Sequence, residues 1–350
     1  MNVLTCLAWL PLALPGIQDA EPVPQRPPAP VRFSVRVLGD LRTAGACAFS
    51  QQAVAINARG ECAGHICRSE LARAAYWSED GEFTLVDTSQ KGPDSFATAL
   101  NDEGLVVGYS IAGYAVQAFR WRPEGELAPL GLPPGLLPLA IASDATLAWS
   151  SAQGAPIRGG TWREGADPVP IEGLEGDVLV RAVNAQGVVT GIAGGGELPA
   201  RAFRWSADAG AVALPTPEGF LHTHGNGIDG SGVVVGLSRG ERGDRATRWS
   251  LEGAAELLPL ADADNTQSVA YGVNDGGWVV GAEYAAPDTF ERATAVLWID
   301  GVAYPLDSLI DQPRGARVHA VIAFAVNERG QIAGRGRFGN QVRAIRLDPK

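Results

Sequence analysis

One turn phrase, returning along the whole chain at a nearly fixed interval, limits what this sequence can fold into. Its clearest copy is Leu100-Asn101-Asp102-Glu103-Gly104, which leads into Leu105-Val106-Val107-Gly108 and then Ala118-Phe119-Arg120-Trp121. Other copies start at Asn57, Asn184, Asp229, Asn274 and Asn327, and a worn one lies at Ala142-Ser143-Asp144-Ala145, aligned through Ser143. Successive copies are then 44, 42, 41, 45, 45 and 53 residues apart. A second marker keeps the same beat. Trp77, Trp121, Trp162, Trp205, Trp249 and Trp298 are spaced by 44, 41, 43, 44 and 49, and Leu347 takes the seventh place. Three residues before each stands Ala or Gly. Two unrelated features with one period make chance similarity a poor explanation, and a repeat of this length takes precedence over local assignments.

Each part of the phrase has a physical reason. Asn or Asp at the first turn position accepts a bond from backbone two residues on, and Gly at the fourth supplies positive φ. Such a turn joins two antiparallel strands, and the short apolar run after it suits a strand buried on both faces. In the Trp strand the ring and the small residue three before it point to opposite faces, so neighbouring sheets can interdigitate. A fourth strand follows, ending in Leu-x-x-Leu, as in Leu127-Ala128-Pro129-Leu130. Four short strands per repeat of this length predict an all-β, seven-bladed β-propeller. Only Asp348-Pro349-Lys350 follow Leu347, so the last blade lacks a fourth strand, and Phe33–Leu41 resembles the missing piece. The N-terminal strand is therefore expected to join the C-terminal blade and close the ring.

The repeated Ile-Asn-x-x-Gly-x-x-Val-Gly, with Gln117-Ala118-Phe119-Arg120-Trp121 and Arg201-Ala202-Phe203-Arg204-Trp205, resembles the HAF-repeat family of bacterial extracellular proteins. The opening Val37-Leu38-Gly39-Asp40-Leu41 is similar to the segment that often begins such proteins, and the likeness covers residues 33 to 347. Gln or Arg replaces the eponymous His, and the third copy is degenerate. The resemblance implies export and a repeat β architecture; it carries no established reaction.

The chain's ends fit export. The apolar stretch Val3–Leu14 has the length of a signal-peptide core, breaks at Pro15-Gly16, and is followed by Ala20 before Glu21-Pro22-Val23-Pro24. Residues 1–20 are read as a secretory signal, 21–32 as a Pro-rich spacer and 33–350 as one propeller domain. Leu4-Thr5-Cys6 resembles the end of a lipoprotein processing box, but almost nothing apolar precedes it, so a lipid anchor at Cys6 is the lesser reading. The apolar stretch is too short to span a bilayer, and no stable membrane insertion is expected. A net charge of -11 speaks against nucleic acid as a partner.

Outside the leader, Cys47, Cys62 and Cys67 allow one disulfide with a thiol left over, and Cys62–Cys67 is the favoured pair. A metal site using His65 with Cys62 and Cys67 lacks a fourth ligand. His222-Thr223-His224, with Asp229 downstream, lacks a third close ligand, and His319 begins an equivalent lead-in strand. Arg73, Arg158, Arg201, Arg245 and Arg343 recur at one repeat position. They read either as a ring of guanidiniums for an anion or, preferably, as side chains lying along a neighbouring Trp or paired with loop carboxylates.

No catalytic dyad, phosphate loop or sialidase box is recognisable, so no catalytic residue, cofactor or metal is assigned. The irregular loop Glu283–Arg292 offers Tyr284, Asp288 and Phe290 as ligand-binding candidates for a glycan or protein, against the plainer reading of an unspecialised surface loop. The sequence thus points to an exported, monomeric binding or interaction scaffold. The alternatives are a glycan-active hydrolase or lyase with carboxylates on the loops, and a structural envelope or surface repeat protein without a specific ligand.

Overall fold

Strands pair in sequence order into seven antiparallel sheets of four, and only the last sheet recruits a strand from elsewhere. The computed structural model describes residues 31–39, 51–68, 71–86, 94–112, 115–286, 293–312, 317–339 and 341–350. The expected signal and nearly all of the Pro-rich spacer lie outside these residues. The first strands of the seven sheets are Gln52–Ile56, Asp94–Leu100, Leu136–Ile141, Asp177–Val183, His222–Ile228, Gln267–Val273 and Val318–Val326. Each contacts the first strand of the next sheet, and the seventh returns to the first. These strands therefore surround the axis, and the architecture is a seven-bladed β-propeller.

Closure follows the expected route. Phe33–Leu38 runs antiparallel to Gln341–Pro349, with Phe33 opposite Pro349 and Leu38 opposite Ala344. The strand also reaches both neighbouring blades. Phe33 packs with Leu306, Leu309 and Ile310 at the end of blade 6, while Leu38 packs with Ala53 and Trp77 of blade 1.

The Trp and small-residue register sets blade-to-blade packing. Trp121 shares a core cluster with Ala74 of the preceding blade, Trp249 with Ala202, Trp298 with Ala246, and Leu347 with Ala295. Round the closure, Trp77 meets Ala344. A ring that size fits only where the facing side chain is a methyl group or less, because interiors are packed to crystal-like density. The other face of each Trp strand carries the small residue to receive the next ring, so one strand serves two interfaces.

The turn phrase does more than form hairpins. Its Asn side chains bond to the turn of the next blade: Asn57 Nδ2 donates to Asn101 O at 3.1 Å, Asn184 to Asp229 O at 2.9 Å, Asn274 to Asn327 O at 3.0 Å, and Asn327 to Asn57 O at 2.8 Å. The same side chains accept from their own turns, as when Asn101 Oδ1 receives the Glu103 and Leu105 N–H groups. The chain of links is broken at Asp229, whose carboxylate carries no donor, and at the worn copy, where the Asn101 Nδ2 is buried without an acceptor.

The worn copy is also aligned one residue earlier than Ser143. Ala142 N donates to Thr146 O and Ala145 N to Ala142 O, the bonds that Asn57 and Gly60 make in blade 1. Ala142 thus stands in the Asn position, and Asp144 Oδ1 takes over the capping by accepting from Thr146 N at 2.9 Å. Ala145 then occupies the glycine position with φ 63°. Ala145→Gly relieves this left-handed strain and is expected to raise stability by about 0.5–1 kcal/mol, roughly 2 °C in melting temperature. A thermal melt of the variant beside the parent checks it; a lower midpoint would refute the assignment.

Candidate functional site

The loop chosen from the sequence is not what it seemed. Tyr284 ends the strand Val279–Tyr284, is only 6% exposed, and packs with Leu237, Val269 and Ile322. Its hydroxyl donates to Asp244 Oδ2 at 3.1 Å, and burial together with that carboxylate pushes the phenol far up. Asp244 in turn holds Arg239 through contacts of 2.6 and 2.8 Å. Tyr284 is therefore an internal anchor and not an exposed aromatic. Asp288 and Phe290 lie outside the described residues.

The favoured cysteine pair is also corrected. Cys62 is a free, fully buried thiol, whereas Cys67 is disulfide-bonded to a partner outside the described residues. Both lie on the strand Cys62–Arg68. Five residues along a strand place them on opposite faces and about 16 Å apart, far beyond the reach of a disulfide. Burial pushes the Cys62 thiol up to about 12. In the native protein Cys62 should resist thiol reagents at pH 8 and react only after denaturation, which a timed Ellman assay reads directly. His65 is likewise internal, its ring edge-on to Phe96 at 5.1 Å.

Around the axis, every first strand carries a bulge three residues before its turn, at Val54, Thr98, Leu139, Arg181, Asn226, Tyr271 and Phe324. Some of these side chains join neighbouring blades: Thr98 Oγ1 donates to Pro138 O at 2.7 Å and Asn226 Nδ2 to Ala270 O at 2.9 Å. Arg181 is the one charged residue among the seven. Arg181 is solvent-accessible yet surrounded by protein, as a side chain projecting towards the axis is, and desolvation lowers its guanidinium. Tyr271 is pushed up to about 12 by burial.

His224, on the same inner strands, is lowered from 6.5 to about 4 by burial and then by the Arg239 and Arg181 charges. A depressed histidine means that the fold disfavours the protonated ring, so its contribution is complete above about pH 6.5 and lost as pH falls towards 4. His224→Gln should flatten the stability–pH curve in that window. Denaturation series on both proteins at pH 4 to 7 test this, and parallel curves would refute it.

Four of the repeated arginines lie on third strands, away from the axis, and Arg158 immediately precedes one. Arg73 Nη1 donates to Ala72 O at 3.2 Å, Arg343 Nη1 to Val342 O at 3.3 Å, and Arg245 Nη2 to Leu258 O at 3.1 Å. They cover backbone carbonyls in blades 1, 7 and 5, and Arg201 of blade 4 likewise contacts Ala200 O and Leu221 O. Arg343 Nη2 also donates to Gln341 Oε1 at 2.8 Å.

That edge has a second cover. Backbone N–H groups of the third strand extend past the short fourth strand, and at four junctions the next blade caps one or both of them. Asp94 Oδ1 accepts from Ala72 N at 2.7 Å and Ser95 Oγ from Ala74 N at 3.1 Å. At the blade 4–5 junction His222 Nδ1 accepts from Ala200 N at 3.0 Å and Thr223 Oγ1 from Ala202 N at 2.9 Å. Gln267 and Ser268 do the same for Asp244 and Ala246, at 3.3 and 2.9 Å. At the 3–4 junction Asp177 Oδ1 accepts from Ile157 N at 2.7 Å, and Val178 N bonds directly to Ile157 O at 2.9 Å.

The blade 2–3 junction has neither cover. Gly135 and Leu136 occupy the capping positions, Gln117 replaces the arginine, and the Val116 and Ala118 N–H groups find no acceptor among the described residues. The result is a cleft of ≈ 1090 Å³ lined by Val116, Phe119, Leu127, Leu132, Pro134 and Leu136 among others, with no ionisable side chain in its described wall. Leu127 is 43% exposed at its side. Gly135 adopts φ 84°, a conformation that a capping Asp would enter only with strain. Three departures from the repeat fall at one place. Gln117, Gly135 and Leu136 carried no chemical signal of their own in the sequence. The signal was their mismatch to the consensus of the other blades.

The architecture belongs to the class of seven-bladed β-propellers, and no described helix is long and apolar enough to cross a membrane. No protein-family model matches the chain, and no curated protein matches it in sequence. Among solved structures it is similar to an inactive variant of virginiamycin B lyase from Staphylococcus aureus with quinupristin, with TM-score 0.56, 10% identity, and coverage of 90% of this chain and 99% of that one. It is also similar to the β-propeller domain of the Trilobed protease from Pyrococcus furiosus, with TM-score 0.54, 11% identity, and coverage of 86% and 96%. TolB from Acinetobacter baumannii aligns in part, with TM-score 0.45 and 12% identity over 57% of this chain, which spans 51% of that protein. At such identities the likeness is one of fold.

Proposed function

We propose that the chain is an exported β-propeller of HAF-repeat type that serves as a binding scaffold, taking its ligand in the cleft between blades 2 and 3. The observation that carries this reading is the loss, at the blade 2–3 junction, of an inter-blade cover that four other junctions show, leaving an apolar cleft with two uncapped backbone donors. A concave, largely apolar wall with a few fixed polar groups is the usual form of a ligand site. Export is supported by the signal-like start and by the disulfide at Cys67, since such bonds persist in oxidising compartments. Amino-terminal sequencing of the secreted protein should begin after Ala20.

The binding reading is tested by probing an array of glycans and displayed peptides with the parent and with Gln117→Arg/Leu136→Ser, which restores the cover seen in other blades. Ligands retained by the parent and lost by the variant are the expected result. Identical profiles, or silence from both, would overturn the reading.

A further inference from the structure

We propose that the occupant of this cleft is an extended peptide segment that adds as a strand to the bare edge of Ala115–Trp121. The inference rests on the cleft being the binding site, and it concerns what the site recognises. The edge presents three backbone groups in alternation: the Ala118 N–H, the Val116 C=O and the Val116 N–H. Ala118 C=O is already taken by Leu130 N at 3.1 Å, and the fourth strand pairs only Ala128 and Pro129 with Arg120 and Phe119. Beyond Leu130 the chain turns away through Gly131 and Pro133-Pro134, so the bare stretch begins where the blade's own pairing stops.

A strand advances about 3.4 Å per residue, which sets the Val116 and Ala118 donors about 7 Å apart. Carbonyls two residues apart in an extended peptide have that same spacing. One antiparallel peptide residue would exchange both bonds with Val116, and the carbonyl two residues away would accept from Ala118. The other blades show what fits there. Asp94 with Ser95, and Gln267 with Ser268, place side-chain oxygens on these same two donors. They act as the chain's own stand-ins for a neighbouring strand. The wall selects against charge and for apolar side chains, since Leu127, Leu132, Leu136 and Phe119 face the space and no described ionisable group does. A bare edge beside apolar pockets is the arrangement in which main-chain bonds supply affinity and alternate side chains supply specificity.

The test is a selection of random nonamer peptides displayed on phage, followed by amide hydrogen exchange with the best sequence made as a blocked synthetic peptide. Before any ligand is added, the Val116 and Ala118 amides should exchange much faster than their capped counterparts Ala72 and Ala74. Peptides with alternating apolar residues should be enriched on the parent and not on Gln117→Arg/Leu136→Ser. Binding should protect the Val116 and Ala118 amides, and N-methylation of the peptide residue opposite Val116 should weaken affinity about tenfold. Val116→Pro removes a donor that the fold leaves unused and should abolish binding without lowering the melting temperature much. Binding that discriminates the two proteins but leaves these amides unprotected would overturn the peptide and leave the cleft standing. Enrichment that is equal on both proteins would overturn both. A glycan as the sole ligand, or pairing with a second copy seen by sedimentation, would overturn the peptide alone.

Discussion

A chain that starts at Gly39 is expected to lose its cooperative thermal transition, whereas a chain that starts at Val31 keeps it. The strand Phe33–Leu38 pairs along its whole length with Gln341–Pro349, and its end residues Phe33 and Leu38 are completely buried. Deleting a buried side chain of this size costs about 3–5 kcal/mol, and two of them approach the whole stability of a typical domain, about 5–15 kcal/mol. The loss is compounded by position. Phe33 secures blade 6 and Leu38 secures blade 1, so the strand spans the only place where the ring is not covalently continuous. It also leaves Gln341–Pro349 as an unprotected edge, which invites aggregation. Circular dichroism melts of the two chains decide the matter. An unchanged midpoint for the shorter one would mean that the ring holds without its closing strand.

Arg346→Met should lower stability by about 3–5 kcal/mol, the size expected when one partner of a buried charge cluster is removed. Arg346 is 2% exposed on the last strand of the chain. Its Nη1 donates to Gly60 O at 2.6 Å and to Glu79 O at 2.8 Å, both in blade 1, while Nε reaches Asp348 Oδ1 at 2.7 Å. Gln331 Nε2 donates to the same Asp348 oxygen at 2.7 Å. Methionine fills the space but takes the guanidinium from two carbonyls and leaves the Asp348 carboxylate with only Gln331 and the more distant Arg36. Arg346→Lys retains the charge without the planar fork and should lie between the parent and Met. Urea titration at pH 7 reads both. A Met variant as stable as the parent would show that this seam contributes nothing.

Much of the fold was legible because it rests on local chemistry repeated many times. The Asn-x-x-Gly turn is specified by residues within one hairpin, and the Trp with its small neighbour by alternation along one strand. Six clear copies of each, with an altered seventh in register, made the count secure. The separation of Cys62 from Cys67 rests on the same local grounds, since five positions along a strand put two side chains on opposite faces. Tyr284 is harder to place from sequence because the strand Val279–Tyr284 ends on it, directly beside an irregular loop.

What the amino-acid order determined by itself, then, was the blade, the number of blades and the strand that closes them, since each follows from short-range periodicity and sterics. Only the tertiary structure decided how blades are joined and where they fail to be. The Arg346 clasp links residues 286 positions apart in sequence. The cleft depends on Gln117 in one blade meeting Gly135 and Leu136 of the next. Neither position is unusual for a strand or loop. Their consequence exists only at the junction, where two backbone donors that other blades satisfy from a neighbour are left facing open space.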